Sequence, residues 1–304
     1  DMLQGPLLGS IISYTIPIIL TSILQLLFNA ADLVIVGRFC GSISVAAVGA
    51  TGSITNLLVN FFIGLSVGAG VAFSRYFGAR NHERLHQSIH TSLTFALIMG
   101  LVMLTIGELL SPVLLRIVSC PADVYPEAMI YLRIYLIGII FTSMYNVQAG
   151  VLRSVGDSRS PFIFLVCASL TNIVLDILFV ATFNMAAAGV ALATVIAQGL
   201  SAGLAFFRLS RAQGAWRVSI KGLCLDKELL KEMLRIGLPS GVQNSVIAFA
   251  NVMVQSSVNV FGSAAMAGNG AFVKLEGFAF IPVNAFGAAC TTFVSQNIGA
   301  RQFD

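Results

Sequence analysis

Charge is what this sequence has least of. Asp, Glu, Lys and Arg make up 10% of its 304 residues, against about 25% in ordinary soluble domains. Hydrophobic residues make up 57%, and the mean hydropathy is +0.90. A water-soluble chain of this length cannot hide so much apolar side chain, so the solvent must be lipid. Cysteine is also scarce. Cys40, Cys120, Cys167, Cys224 and Cys290 are scattered and form no CxxC pair, which argues against a disulfide framework or a thiolate metal site. Histidine is confined to His82, His86 and His90. Their i, i+4, i+8 spacing would suit a metal stripe, but no carboxylate or thiol completes it. A solvated helix face is the expectation. There is no GxxxxGK[ST] loop, so ATP coupling of that kind is excluded. No cleavage-site pattern follows the first apolar run, which is too long for a secretory signal and reads as a span.

What the chain does have is one long apolar run after another. A span needs about 20 mostly apolar residues. Eight are predicted, over 11–36, 44–74, 87–111, 127–152, 161–182, 186–208, 230–260 and 267–298. They lack the two-residue alternation of a barrel strand, and lipid offers no partner to an unpaired backbone. Each is therefore read as a helix, and the fold class expected is an all-α integral membrane bundle. Several runs exceed the hydrocarbon thickness and are expected to tilt or project beyond it. Ser160-Pro161 reads as the cap and first turn of the fifth helix. Pro17, Pro239 and Pro282 fall inside runs as bending points. Gly37/Gly41, Gly64/Gly68 and Gly199/Gly203 give GxxxG spacings that suit close helix contact.

The few charges are unevenly placed. Thirteen of the 17 Lys and Arg flank the even-numbered loops: Arg75, Arg80 and Arg84; Arg153 and Arg159; Arg208, Arg211, Arg217, Lys221, Lys227, Lys231 and Arg235; and Arg301. The other side has only Arg38 and Arg116. This asymmetry puts the amino terminus and the even-numbered loops in the cytoplasm. The stretch 208–235 could be taken for a nucleic-acid patch. Between two spans it reads instead as a topogenic linker facing lipid, and no nucleic-acid partner is expected.

The sequence also echoes itself. GSISVAAVGA at 41–50 returns as GSAAMAGNGA at 262–271, and FGAR at 77–80 as IGAR at 298–301, an offset of 221. Pro17 and Asn29 recur as Pro239 and Asn251 at an offset of 222. Six spans separate the two starts, so both copies enter the membrane from the same side. Such repeats are parallel, related by an axis along the membrane normal. The expected domains are a six-helix amino-terminal lobe over 1–210, a basic cytoplasmic linker over 211–229, and the start of a second lobe over 230–304. Four more helices would complete the repeat. With Asp rather than Met at position 1, the chain reads as a fragment of a twelve-helix protein.

Polar groups at bilayer depth are costly and usually face a cavity or the bundle interior. In the first span Thr21, Gln25, Asn29 and Asp32 form one stripe. Asn172 and Asp176 in the fifth span, and Thr194 and Gln198 in the sixth, are i, i+4 pairs. A lone carboxylate does not stay ionised and bare in a low-dielectric interior; it binds a proton or holds a cation. Two acids with amide and hydroxyl oxygens nearby make a site for H⁺ or Na⁺. Helix–helix glue is the plainer reading, but Asn or Gln would serve that purpose without an ionisable group. The seventh span carries Ser240, Asn244, Asn251, Gln255 and Asn259, open to substrate contact or packing. The eighth holds Lys274 and Glu276, two residues apart and so not on one face.

These residues resemble the multidrug and toxic compound extrusion (MATE) transporters, in the bacterial branch with DinF-like and YoeA-like members. The resemblance covers the whole chain. It is carried by N-x-x-D with VGR (Asn29, Asp32, Val36, Gly37, Arg38), AAVGATGS at 46–53, SVGAG at 66–70, FGAR at 77–80, LRSVGDSRSP at 152–161, N-x-x-x-D in the fifth span, KLEGF, and QNIGAR near the end. It implies two six-helix lobes and export of cationic or amphipathic compounds in exchange for H⁺ or Na⁺. It implies a coupling-cation site at Asp32, Asn172, Asp176 and Thr194, with no other cofactor. The expected substrate cavity takes in Gln25, Asn29, Gln198, Asn251, Gln255 and Glu276. Some members use an acid in the seventh span; Asn251 and Gln255 stand there instead. A monomer in a bacterial inner membrane is expected.

Three rivals remain at this stage. A flippase-type exporter of a lipid-linked glycan would show more cationic residues in its cavity than Lys274 alone. An intramembrane hydrolase could use GLSVG at 64–68, a GxSxG match, but that motif needs a strand–turn–helix and a nearby His, and all three His lie at 82–90. A passive channel would lack coupling.

Overall fold

The computed structural model describes residues 7–118, 120–259 and 263–302. Every predicted run is a helix: α1 (Leu7–Phe39), α2 (Gly41–Gly78), α3 (His82–Ile117), α4 (Tyr125–Ser154), α5 (Arg159–Asp176), α6 (Ala186–Ser210), α7 (Lys227–Asn259) and α8 (Ser263–Gly299). No strand occurs among the described residues. α5 continues into a π-helical turn, Ile177–Thr182. Among the described residues seven helices are long and apolar enough to cross a membrane; α7 is the exception. Its first turns carry Lys227, Glu228, Lys231, Glu232 and Arg235, and Gln243, Asn244 and Asn251 dilute the rest. α3 alone would measure about 54 Å at 1.5 Å per residue, so it extends well past a hydrocarbon layer of about 30 Å.

The helix ends follow their local chemistry. Asn81 caps α3, its side chain accepting from the Arg84 N–H. At α5 the expected cap is one turn off. Asp157, not Ser160, is the acceptor, taking the Ser160 N–H at 2.9 Å and its hydroxyl at 2.6 Å. The two oxygens of the carboxylate each take one donor there, at the positive end of the helix dipole. The ends of α2 and α8 match in detail. Arg80 and Arg301 both adopt left-handed backbones, with φ of 52° and 57°. Ala79 N–H bonds to Arg75 O and Ala300 N–H to Gln296 O, each at 2.9 Å.

α1 to α6 pack around α2, α4 and α6, and α7 and α8 dock on α2 and α1. The docking contacts gather at the end that carries the basic loops. Gly64 and Gly68 of α2 meet Gly241 and Gly237 of α7 so closely that a methyl on either α2 glycine would overlap the α7 backbone. Tyr14 donates to the Arg153 carbonyl at 2.8 Å and approaches Thr292 of α8. Gln296 donates to the Ser154 carbonyl at 2.6 Å. Arg75 and Tyr76 both reach Glu232. Toward the other end, α7 leaves Val246, Ile247, Phe249, Met253 and Val254 exposed, and α1 leaves Leu27 and Val34 exposed.

Of the three GxxxG spacings, only Gly64/Gly68 seats a partner helix. Gly37 meets nothing nearer than a Val45 methyl at 3.7 Å, and nothing lies within 4 Å of Gly203. The GLSVG match belongs to that same helix seam, with the Ser66 hydroxyl donating back to Ile63 O at 2.8 Å. It has no strand–turn–helix context and is a packing motif. Of the three histidines, His82 and His86 are exposed, as expected of a solvated face, but His90 is not. His90 is buried, its Nδ1 at 2.8 Å from His86 O, and its Nε2 accepts the Ser219 N–H at 3.2 Å. The linker folds over it, which no helical spacing could have signalled.

Candidate functional site

The acid-bearing helices bring their polar residues to one place. Asp32 comes from α1, Asn172 and Asp176 from α5, and Thr194 and Gln198 from α6. The i, i+4 spacings on α5 and α6 aim each pair at the shared interface. Asn172 and Asp176 are both 0% exposed, and Thr194 is 7% exposed. The Asn172 Nδ2 donates to Thr194 Oγ1 at 3.4 Å, and that hydroxyl donates to Val190 O at 2.9 Å. Asp32 is half-buried and stands beside Asp176. Asp176 is also the last residue before the π-helical turn, a backbone irregularity common at functional sites.

What the cluster lacks is donors. Eight buried side-chain polar atoms have no hydrogen-bond partner among the described residues, and five of them are here: Asp32 Oδ1, Asn172 Oδ1, both oxygens of Asp176 and Gln198 Oε1. All five are acceptors. Buried polar atoms are normally satisfied, and each orphan costs about 1–3 kcal/mol. A concentration of them around two acids is the electrostatic complement of a small cation or a proton. No group of three or more His, Cys, Asp or Glu is placed to hold a metal among the described residues, and the carboxylate, amide and hydroxyl donor set suits a hard monovalent ion.

Two features were missed by the sequence reading. Tyr131 and Tyr135 of α4 stack at 6.1 Å and stand beside the acids and Gln198. Their i, i+4 spacing on α4 was the available signal. Val36, Val180 and Val190 each lie one turn from Asp32, Asp176 and Thr194, on the side away from the basic loops. With Tyr131, Ala187 and Ala191 they form one buried apolar cluster. This layer covers the acids at that end.

The other expected cavity residues are not joined to the cluster. Gln25 and Asn29 are exposed on α1, Asn251 on α7 and Glu276 on α8. They lie on the stretches beyond the docking contacts. The side chains of Gln255, Asn259 and Lys274 fall outside the described residues.

Eight packed helices among the described residues, seven of them fit to span lipid, with one acid fully buried and another half-buried among them, define a polytopic helical membrane protein. The MatE family model matches residues 17–178 and 239–304, and the chain belongs to that family. It is 29% identical over 301 residues to the probable multidrug resistance protein YpnP of Bacillus subtilis (strain 168), covering 98% of this chain and 67% of YpnP. To the probable multidrug resistance protein YoeA of the same organism it is 30% identical over 298 residues, covering 96% of this chain and 64% of YoeA. It matches, at a TM-score of 0.90 and 26% identity, a structure described as the outward-facing conformation of a multidrug resistance MATE family transporter of the MOP superfamily, covering 99% of this chain and 67% of that one. The chain thus spans about two thirds of the length of these relatives.

Proposed function

We propose that the protein works as a secondary active multidrug transporter, exporting cationic or amphipathic organic compounds in exchange for H⁺ or Na⁺. The observation that carries this reading is the set of five unpartnered acceptor oxygens around Asp32 and Asp176. Asp32 is the half-buried member and receives the ion first; Asp176, fully buried, holds it with Asn172 and Thr194. Neutralising the pair changes what α1 presents to the space between the helix sets, where Gln25 and Asn29 are exposed. Coupling then requires that ion and organic substrate favour different states of the same helices.

The architecture supports alternating access. α1–α6 form a first lobe over 1–210, 211–229 a linker, and α7 and α8 the start of a second, parallel lobe. The matched ends of α2 and α8 support that repeat. With the basic end cytoplasmic, closed contacts there and splayed helices opposite correspond to a state open to the outside. A bacterial inner membrane and a monomer complete the reading.

The test uses the full-length protein in inverted vesicles, with substrate transport driven separately by Na⁺ and pH gradients. Transport that responds to one gradient and loses that response in Asp32→Asn supports the proposal. Gradient-independent transport, or an unaffected Asp32→Asn, defeats it.

A further inference from the structure

The linker between α6 and α7 is a built element. Val218 is buried in the core of the first six helices with Leu209 and Leu229. The Ser219 N–H is held by His90 Nε2 at 3.2 Å, and the Asp226 N–H donates to Thr91 Oγ1 at 3.2 Å. Trp216 packs edge-on against Phe77 at 5.9 Å. These ties fix both ends of the stretch 219–226 against the last turn of α2 and the third turn of α3, at the end that carries the basic loops.

What they hold out is unusual. Ile220, Leu223 and Leu225 are all exposed, Ile220 at 71%. A short 3-10 turn, Ile220–Gly222, carries the first of them. Arg217, Lys221, Lys227 and Lys231 surround this ridge, all exposed, and no ion pair neutralises any of them among the described residues. A free linker would turn its leucines inward. A headgroup-level segment does the reverse, sinking apolar side chains while basic ones meet lipid phosphates.

We propose that residues 217–231 form a membrane-surface anchor that binds anionic phospholipid headgroups, with Ile220, Leu223 and Leu225 inserted between them. Arg217, Lys221, Lys227 and Lys231 against Asp226 and Glu228 leave the segment net positive, which selects the lipid, and the His90 and Thr91 contacts aim the ridge. The anchor would fix the first lobe at one depth while the second moves, so the linker acts as a hinge with one end planted. The inference leans on the proposed transport reading only for that last consequence.

Cys224 lies inside the ridge and is exposed, which supplies the test. The full-length protein, with every other cysteine replaced by serine, receives a nitroxide label at Cys224 and is placed in nanodiscs. One set contains phosphatidylcholine alone, the other equal parts phosphatidylcholine and phosphatidylglycerol. Relaxation by lipid-dissolved oxygen is compared with relaxation by an aqueous nickel chelate. The expected result is a several-fold shift toward oxygen in the anionic discs. Raised salt reverses it, and the triple variant Arg217→Gln, Lys221→Gln, Lys227→Gln abolishes it. All three side chains are exposed; the variant loses the bond from Arg217 Nε to the Ser210 carbonyl at 3.1 Å, so its melting temperature is compared with the parent's to verify the fold. A water-exposed label in both lipids, or a triple variant that stays at lipid depth, overturns the proposal. The readout is independent of transport, so failure of the anchor and failure of antiport are separable.

Discussion

Gly78 and Gly299 hold equivalent places in the joint between the two helix sets. A methyl on Gly78 would run into the Gln296 carbonyl, and one on Gly299 into the Arg75 carbonyl. The partners exchange at the offset of 221 that relates FGAR to IGAR. α2 and α8 therefore meet through positions that exchange at that offset, as the repeat reading expects of a two-fold axis. Gly78→Ala and Gly299→Ala are each expected to destabilise by ~1–3 kcal/mol, and by similar amounts, since both force apart the same backbone contact. Gly203→Ala, with open space around it, is expected to be neutral or slightly stabilising. Thermal unfolding of the purified full-length protein checks all three. A large drop for one joint glycine and none for the other would remove the axis.

Glu232 closes the same end by a different device. Its two oxygens are divided between the Arg75 guanidinium at 3.0 Å and the Tyr76 hydroxyl at 2.5 Å. The ion pair is partly exposed, so the charge is worth ~0.2–1 kcal/mol. Glu232→Gln keeps an acceptor and removes the charge. It is expected to raise the share of molecules with this end parted by no more than about five-fold, at 1.4 kcal/mol per factor of ten. Spin labels at His82 and Arg301, one on each helix set and both exposed, read the separation directly. An unchanged distance distribution would show that the latch contributes nothing.

How far the sequence could lead depended on the kind of signal. Apolar runs and charge placement located all eight helices, because lipid imposes both. The acid cluster was legible too, since i, i+4 polar pairs in an apolar helix stand out. Burial against a distant segment was not. Nothing in the spacing of His90 says that Ser219 will fold onto it. Nor did any pattern separate Gly64/Gly68, which seats the α7 backbone, from Gly199/Gly203, where Gly199 meets only the Phe141 ring and Gly203 nothing. Small-residue spacing permits close approach, and the partner decides whether it happens. The valine layer over the acids was hidden for a similar reason: valine is ordinary in a span, and only the three-helix assembly makes it a cover.

Asp176 separates stability from function. Both its oxygens are buried without a donor. Asn in its place removes the buried charge and supplies an N–H₂ donor to a cluster of orphan acceptors, so Asp176→Asn is expected to raise stability by about 1–3 kcal/mol while removing the ion dependence of export. Asp32 is half-buried, so Asp32→Asn gains less stability but loses the same coupling. Melting curves and gradient-driven export, measured side by side, check the contrast. If Asp176→Asn melts below the parent, the orphan oxygens are not a source of strain and the ion-site reading fails with them.

Thr194 is the last link. Its hydroxyl accepts the Asn172 amide at 3.4 Å while donating to Val190 O. Thr194→Val preserves shape but strands the Asn172 Nδ2 in a buried interface, a cost of about 1–3 kcal/mol. Thr194→Ser restores the oxygen and is expected to recover most of that loss. Because the Asn172 amide is positioned by this bond, the valine variant is also expected to need more coupling ion for half-maximal export, with the serine variant close to the parent. Titrating export against Na⁺ or pH in the three proteins decides it. Equal titration midpoints would leave Thr194 a packing residue and confine the ion site to the two acids.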